Sequence, residues 1–377
     1  MKILYLTDSL AIWGGIERVL SDKMNYLVRE YGYEIYVVTA DQGAHPVPFP
    51  LDARIHVKDL NIIFHQQYAY NGLRRLLKYR ELEKLFRKRL KSYVDEVKPD
   101  VISCIRDGYA SAVLSFNSSF PVIFESHAMY KDVEFENSTF LHRLVTYFIR
   151  RKFRKLDCLV TLTQGDADDW KCVCHNLRVI PNVVHLNENG RYSQCNTKDV
   201  VLAGRFDVQK DHATMLDVWE KVQFRHPDWT LHMYGNGELK SFCEQEVARR
   251  GLNVRIYAAV SDIFEKYLDS SMLVMSSLYE PFGLVLVEAM SCGLPVIAFD
   301  CPYGPADIIS DGVDGFLVEN RDVDAFADRV CQLIEDKDLR QRMGIAAVSS
   351  AQRYRSDVIM PIWKELFESL SDKKSKG

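Results

Sequence analysis

The chain has 377 residues, 47% apolar and 27% charged, with a net charge of −4. Its length suits roughly two or three domains with sizeable cores, and its composition is that of an ordinary soluble globular protein. No run approaches the ~18 apolar residues of a membrane span, and a slightly acidic chain with no supporting motif is not expected to bind nucleic acid. The opening KILYL is too short, and too soon followed by Asp8, for a signal peptide, so the expected location is the cytoplasm. Nine cysteines without an export signal read as reduced thiols, an odd number being unable to pair completely.

In chain order, KILYLT reads as a first strand, and Ile16, Val19, Leu20, Met24 and Leu27 mark an amphipathic helix after it. EIYVVTA is a second strand. Residues 74–91, RRLLKYRELEKLFRKRLK, hold nine basic and two acidic residues, with Leu73, Leu76, Leu77, Leu82, Leu85, Phe86 and Leu90 at helical spacing. Such a helix suits an anionic membrane surface or an acidic substrate, and equally a solvated helix face. DVISCI, PVIFES, CLVTLT and RVIPNV are further strands, and IRRKFRKL (149–156) adds five cations. Residues 1–195 carry 27 Lys and Arg against 23 Asp and Glu, so the basic excess belongs to the first half.

The polar stretch HLNENGRYSQCNTKD (185–199) reads as a linker. Strand-type runs then resume as VVLAGRF, TLHMYGN, VRIYA, SMLVMSS, PVIAFD and GFLVE, alternating with helices. This pattern predicts an α/β protein of two Rossmann-like, doubly wound parallel-sheet domains, 1–190 and 196–355, facing a cleft. Ligands in such sheets bind outside the carboxyl ends of the strands.

Three segments fall at those ends. Gly14 and Gly15 precede a helix whose free N–H groups could meet a phosphate, although two glycines also simply turn a chain. No GxGxxG follows a strand, which disfavours a nicotinamide cofactor. In GRFDVQK, Arg205 and Lys210 flank a loop and could converge on a diphosphate. In EPFGLVLVEAM, Pro281 is placed to start a helix carrying Glu280 and Glu288 about 12 Å apart along its axis. Carboxylates in so apolar a run need partners. Ligand hydroxyls are one choice; the alternative places Glu280 at a helix N-terminus and Glu288 against a neighbouring cation. Asp166-Ala-Asp168 and Asp322-Val-Asp324 each sit where a helix begins, and CVCH (172–175) lacks a second ligand pair, so no metal is expected.

Together GGIERVL, ESHAMY, VIPNVV, LAGRFDVQKDH, YGNGEL, LYEPFGLVLVEAMSCGLPVIAFD and GPADIISDGVDGFLVE resemble, in this order, the family 4 retaining glycosyltransferases of the GT-B fold. The resemblance implies that the first domain binds an acceptor and the second a sugar nucleotide, and that helix 356–370 packs back on the first domain. It implies that Glu280 holds donor-sugar hydroxyls, Glu288 the ribose, and Arg205 with Lys210 the diphosphate. Phe282, Gly283 and Leu284 complete the donor site, Gly14 and Gly15 approach the diphosphate, and His127 lies beside the transferred sugar. Retention would follow from front-face attack without a protein nucleophile, metal or other cofactor. Ala258 and Ala259, and Val183, stand where the family usually has glycine. SCGLPVIAFDCPYGP is most similar to bacterial cell-surface polysaccharide enzymes, which implies a UDP-sugar donor and a saccharide or lipid-linked acceptor at the inner face of the plasma membrane. A sugar-nucleotide 2-epimerase of the same fold, or a non-catalytic sugar-nucleotide-binding subunit, is the alternative.

Overall fold

A computed structural model describes residues 1–116, 120–130, 147–148 and 150–375, with side chains as far as 372; Ile149 of the second basic stretch lies outside them. The chain forms two compact units: Met1–Leu162, Asp166–Val183 and Ile359–Gly377 in the first, Thr163–Gly165 and Val184–Val358 in the second. The division falls at Val183/Val184, ahead of the expected 190–196. Residues 184–198 are irregular but not a free linker. Leu186 and Cys195 are buried in the second unit, where Cys195 Sγ meets the Gly293 carbonyl at 3.2 Å and Ser193 Oγ donates to the Ser270 carbonyl.

The first unit is built on one parallel sheet of order β3-β2-β1-β4-β5-β6-β7. Its strands are β1 (Lys2–Thr7), β2 (Glu34–Thr39), β3 (His56–Asp59), β4 (Val101–Cys104), β5 (Val122–Glu125), β6 (Cys158–Thr161) and β7 (Leu177–Val179). Alternation along β1 divides its side chains between two cores. Ile3 and Tyr5 pack with Leu20, Met24 and Leu27 of α1 (Gly15–Tyr31), and with Ile359, Met360, Trp363 and Phe367 of the C-terminal helix Ser356–Ser375. Leu4 and Leu6 pack on the opposite face with Leu82, Phe86, Leu90 and Val94 of α2 (Gly72–Val97). The polar HVKD of β3 gives no apolar signal because it is an exposed edge strand.

The apolar stripe expected along α2 splits in two. Leu82, Phe86 and Leu90 are buried, whereas Leu73, Leu76 and Leu77 are 71%, 45% and 57% exposed. Arg87, Lys91 and Lys78 pair with carboxylates of the same helix, and Arg89 donates to the Leu60 carbonyl. Arg74 and Arg80 form no ion pair among the described residues, and Arg75 lies over the Tyr68 ring at 4.5 Å. In the second basic stretch, Arg150 covers the Tyr130 and Trp170 rings and Lys152 binds Ser111, so part of that charge serves packing.

The second unit repeats the plan with a parallel sheet β10-β9-β8-β11-β12-β13: β8 (Asp199–Ala203), β9 (Thr230–Tyr234), β10 (Val254–Tyr257), β11 (Met272–Met275), β12 (Val296–Phe299) and β13 (Gly315–Val318). Its core gathers Trp219, Phe206, Met233, Ile297, Phe299 and Phe326. All nine cysteines are unpaired. Among the described residues no helix is long and apolar enough to cross a membrane.

Phe367 is wholly buried, so Phe367→Ala should destabilise the first unit by about 3–5 kcal/mol through lost burial and a residual cavity. Urea unfolding followed by near-ultraviolet dichroism measures this; a loss below about 1 kcal/mol would mean the C-terminal helix is not part of that core.

Candidate functional site

Both sheets reverse their winding beside the first strand of the unit, at β1/β4 and at β8/β11. At such a reversal the loops leaving two adjacent strands diverge and open a crevice. In the second unit these are the loops after β8, carrying Arg205 and Lys210, and after β11, leading to Glu280. They are laced together. Ser276 Oγ donates to the carbonyls of Lys210 and Asp211, both at 3.0 Å, Leu278 N donates to Gln209 O at 2.8 Å, and Gln209 Nε2 donates to Tyr279 O at 3.1 Å.

This lacing brings the Lys210 ammonium against the Glu280 carboxylate, which also accepts from Ser277 Oγ at 3.3 Å. The pair is nearly buried, with side-chain exposures of 16% and 10%. Arg205 does not join it. Its guanidinium is 72% exposed and 3.3 Å from Asp207, whose other oxygen accepts the Lys210 N–H. Among the described groups, then, the two cations expected to converge have separate partners.

The helix expected to begin at Pro281 begins three residues later, as α3 (Leu284–Ser291 in the chain). Residues 280–283 are instead pinned to a distant segment: Glu280 N donates to Pro302 O at 2.6 Å, and its carbonyl accepts from Tyr303 and Gly304. Gly283 then turns the chain at φ +106°, a conformation costly for any residue with a Cβ. Gly304 permits the close approach, since a Cβ there would lie 1.8 Å from Phe282 O. Glu280 therefore lies outside the helix, and an axial spacing to Glu288 does not describe the two carboxylates.

The α3 N-terminus has no side-chain cap, so the N–H groups near Leu284 and Val285 form the positive end of a dipole that can face an anion. Glu288 is 5% exposed on the same helix. Phe282 contributes only its main chain to any ligand, because its ring is buried edge-on against Tyr354 at 5.3 Å.

In the first unit, Gly14 is the N-cap of α1 and Gly15 its first residue, again without a side-chain cap. The Glu17 carboxylate folds over Gly14, where an added Cβ would meet Oε2 at 2.4 Å. Burial raises the pKa of Glu17. His127 follows β5, is 9% exposed, and has Nε2 3.4 Å from Glu125 Oε2. At the end of β1, Asp8 accepts from Tyr109 Oη at 2.5 Å and Arg106 Nε at 2.6 Å. This cluster gave no sequence signal, its members standing about a hundred positions apart.

The aspartates considered for metal have other roles. Asp166 accepts the Tyr130 N–H, Asp168 pairs with Lys171, Asp322 caps the helix Val323–Glu335 at Ala325, and Asp324 pairs with Lys221. Among the described residues no group of three or more His, Cys, Asp or Glu could hold a metal ion.

Residues 13–188 match the family description Glycosyltransferase Family 4, and residues 187–349 match Glycosyl transferases group 1. The chain is similar to the amylovoran biosynthesis glycosyltransferase AmsD of Erwinia amylovora, 27% identical over 97% of this chain and 99% of the relative. Its fold is similar to that of S. aureus TarM in a complex that includes UDP, at a TM-score of 0.80 and 17% identity over 97% and 99% of the two chains. It is also similar to Anabaena HepE in complex with UDP-glucose, at a TM-score of 0.74 and 20% identity over 98% and 100%.

His212 closes the Lys210 loop, stacked on Phe206 at 4.1 Å, and both its ring nitrogens are buried without a partner among the described residues. Burial, aided by the charge of Lys210, lowers its pKa to about 4. Unfolded chains take up that proton near ~6.5, so between those values the unfolded state binds more protons and stability rises with pH. His212 should thus remove on the order of 3 kcal/mol as pH falls from 6.5 to 4. Urea midpoints at pH 4.5 and 7 test this: His212→Phe should flatten the difference, and an unchanged slope would assign it elsewhere.

Proposed function

This chain belongs to glycosyltransferase family 4, and we propose that it moves a hexosyl or N-acetylhexosaminyl group from a UDP-sugar to a saccharide or lipid-linked saccharide acceptor of a bacterial cell-surface polysaccharide. The observation that carries the reading is the Lys210–Glu280 pair, set by laced loops at the β8/β11 reversal beside an uncapped helix N-terminus. A cation, a carboxylate and free N–H groups supply what a sugar diphosphate needs: positive partners for the phosphates and an acceptor for the sugar's hydroxyls.

In this mechanism, the diphosphate draws Lys210 away from Glu280 and recruits the exposed Arg205. Glu280 is then free to accept hydrogen bonds from the sugar, and Glu288 from the ribose. The bond from the anomeric carbon to the phosphate oxygen breaks while the acceptor oxygen bonds to that carbon on the same face. The acceptor's proton passes to the departing phosphate oxygen, so configuration is retained. Negative charge grows on the leaving diphosphate, and fixed cations and N–H groups stabilise it more in the transition state than in the ground state. In the first unit, His127 and the main chain at Gly14 and Gly15 are assigned to contact with the substrate. No step uses a metal, so turnover persists in EDTA.

UDP as the nucleotide is supported by its presence in the similar TarM and HepE structures, and a polysaccharide product by the similarity to AmsD. The first turns of α2, with the segment just before them, fit a lipid-linked acceptor. Tyr68, Tyr70, Leu73, Leu76 and Leu77 are exposed beside Arg74, Arg75 and Arg80. Apolar and aromatic side chains interleaved with cations suit an anionic membrane surface.

Arg205→Ala and Lys210→Ala should each remove on the order of 2–4 kcal/mol of transition-state stabilisation, read as kcat/KM with a UDP-sugar. Losses within about threefold, under 1 kcal/mol, would end the diphosphate assignment. UDP at a hundred times its Kd should stabilise the second unit by about 2.7 kcal/mol; an equal thermal shift with every nucleotide would remove the preference for uridine.

Sedimentation with vesicles containing phosphatidylglycerol should retain the protein at low salt and release it at high salt. Arg74→Glu with Arg80→Glu should abolish retention, and equal binding to pure phosphatidylcholine would refute the membrane role.

A further inference from the structure

Lys23 breaks the pattern of α1. It lies on the inward face with Leu20, Met24 and Leu27, is 2% exposed, and its ammonium meets the Glu125 carboxylate, also 2% exposed. Around it stand the Trp363 ring of the C-terminal helix at 3.7 Å and the Tyr5 ring of β1 at 5.1 Å. Glu125 closes β5. Its Oε1 accepts from Ser103 Oγ of β4 at 2.5 Å, while Oε2, which takes Lys23, is also 3.4 Å from His127 Nε2. Lys23 of α1, Ser103 of β4 and His127 after β5 thus meet one carboxylate, while rings from β1 and the C-terminal helix surround the ammonium.

A fully buried ion pair is poor stabilisation, since desolvating both charges offsets most of their attraction, and apolar replacements often serve stability as well. What this pair supplies is a definite chemical state. Burial alone would raise Glu125, but the Lys23 charge and the contacts with His127 outweigh it and hold the carboxyl below its ordinary range. Burial lowers Lys23, and the carboxylate only partly restores it; the direct contact of opposite charges keeps both ionised. An ionised carboxylate accepts hydrogen bonds and donates none, so the ring nitrogen facing it must carry the hydrogen. Lys23 also neutralises the carboxylate, so His127 faces an ion pair rather than a lone anion. Glu17 of α1 is a further carboxylate that feels the charge of His127, together with those of Arg106 and Asp8.

We propose that Glu125, held ionised by Lys23 and oriented by Ser103, is a positioning residue that fixes His127 as the neutral Nε2–H tautomer, leaving Nδ1 as a hydrogen-bond acceptor for a substrate hydroxyl. The proposal rests on the assignment of His127 to the substrate, and deepens it. An acceptor nitrogen can take a hydrogen bond from a sugar or acceptor hydroxyl; an imidazolium cannot.

The test is nitrogen NMR on the full-length protein with ¹⁵N-histidine, His127 being assigned by its loss in His127→Gln. At pH 7.5 the Nε2–H tautomer is expected, and a dominant Nδ1–H form or imidazolium in the wild type overturns the proposal without recourse to any variant. Ser103→Ala, which deletes one hydroxyl, should raise the minor tautomer at least threefold. Glu125→Gln should mix the tautomers and lower kcat with UDP-sugar at least tenfold while changing donor KM less than threefold. Lys23→Met, which leaves the carboxylate uncompensated, should bring in the imidazolium signature and shift the acidic limb of the kcat profile, whereas Glu17→Gln should leave the tautomer unchanged. An unaltered tautomer in folded Glu125→Gln refutes the positioning role. An altered tautomer with unaltered kcat sustains it and instead removes His127 from the reaction.

Discussion

A lysine and a glutamate held together at the point where a parallel sheet reverses its winding are the interaction around which the loops of the second unit are ordered. Each comes from a loop leaving a buried strand, and neither loop has a regular conformation of its own. Their geometry is imposed by hydrogen bonds to main chain: the Ser276 hydroxyl to the carbonyls of Lys210 and Asp211, Leu278 N–H to Gln209, and the Glu280 main chain to residues 302–304. The sheet supplies rigidity, and the carboxyl ends of its strands supply the direction in which the loops must leave.

The two units solve the same electrostatic problem differently. In the second, the ion pair keeps some contact with solvent, so a ligand bearing charge and hydroxyls can divide it and take both halves. In the first, the pair under His127 is closed to solvent and covered by Trp363, so no ligand can divide it. A pair that exchanges partners suits binding. One that cannot exchange suits the fixing of a neighbour's hydrogen.

Most of the architecture was legible in the sequence because parallel strands buried on both faces read as short apolar runs. Polar β3, at an exposed edge, carried no such signal. Lys210, Glu280 and Glu288 could be picked out because each charge stands beside an apolar strand or inside an apolar helix. The exact start of the helix after Glu280 could not, because it is set by hydrogen bonds to residues more than twenty positions away. The stripe on α2 was visible, but only packing shows that half of it reaches the core. Lys23 was overlooked for the opposite reason: one cation on a helix reads as solvated unless its inward register is noticed.

The first unit is discontinuous. Its core includes Ile359, Met360, Trp363 and Phe367 from the end of the chain, whereas the second unit's core runs from Val200 to Met343. During synthesis, therefore, the later unit has all its apolar partners while the earlier one still lacks a helix. The usual order of vectorial folding is inverted: one face of the amino-terminal sheet, with α1 already on it, stays only partly covered until the helix Ser356–Ser375 has been made.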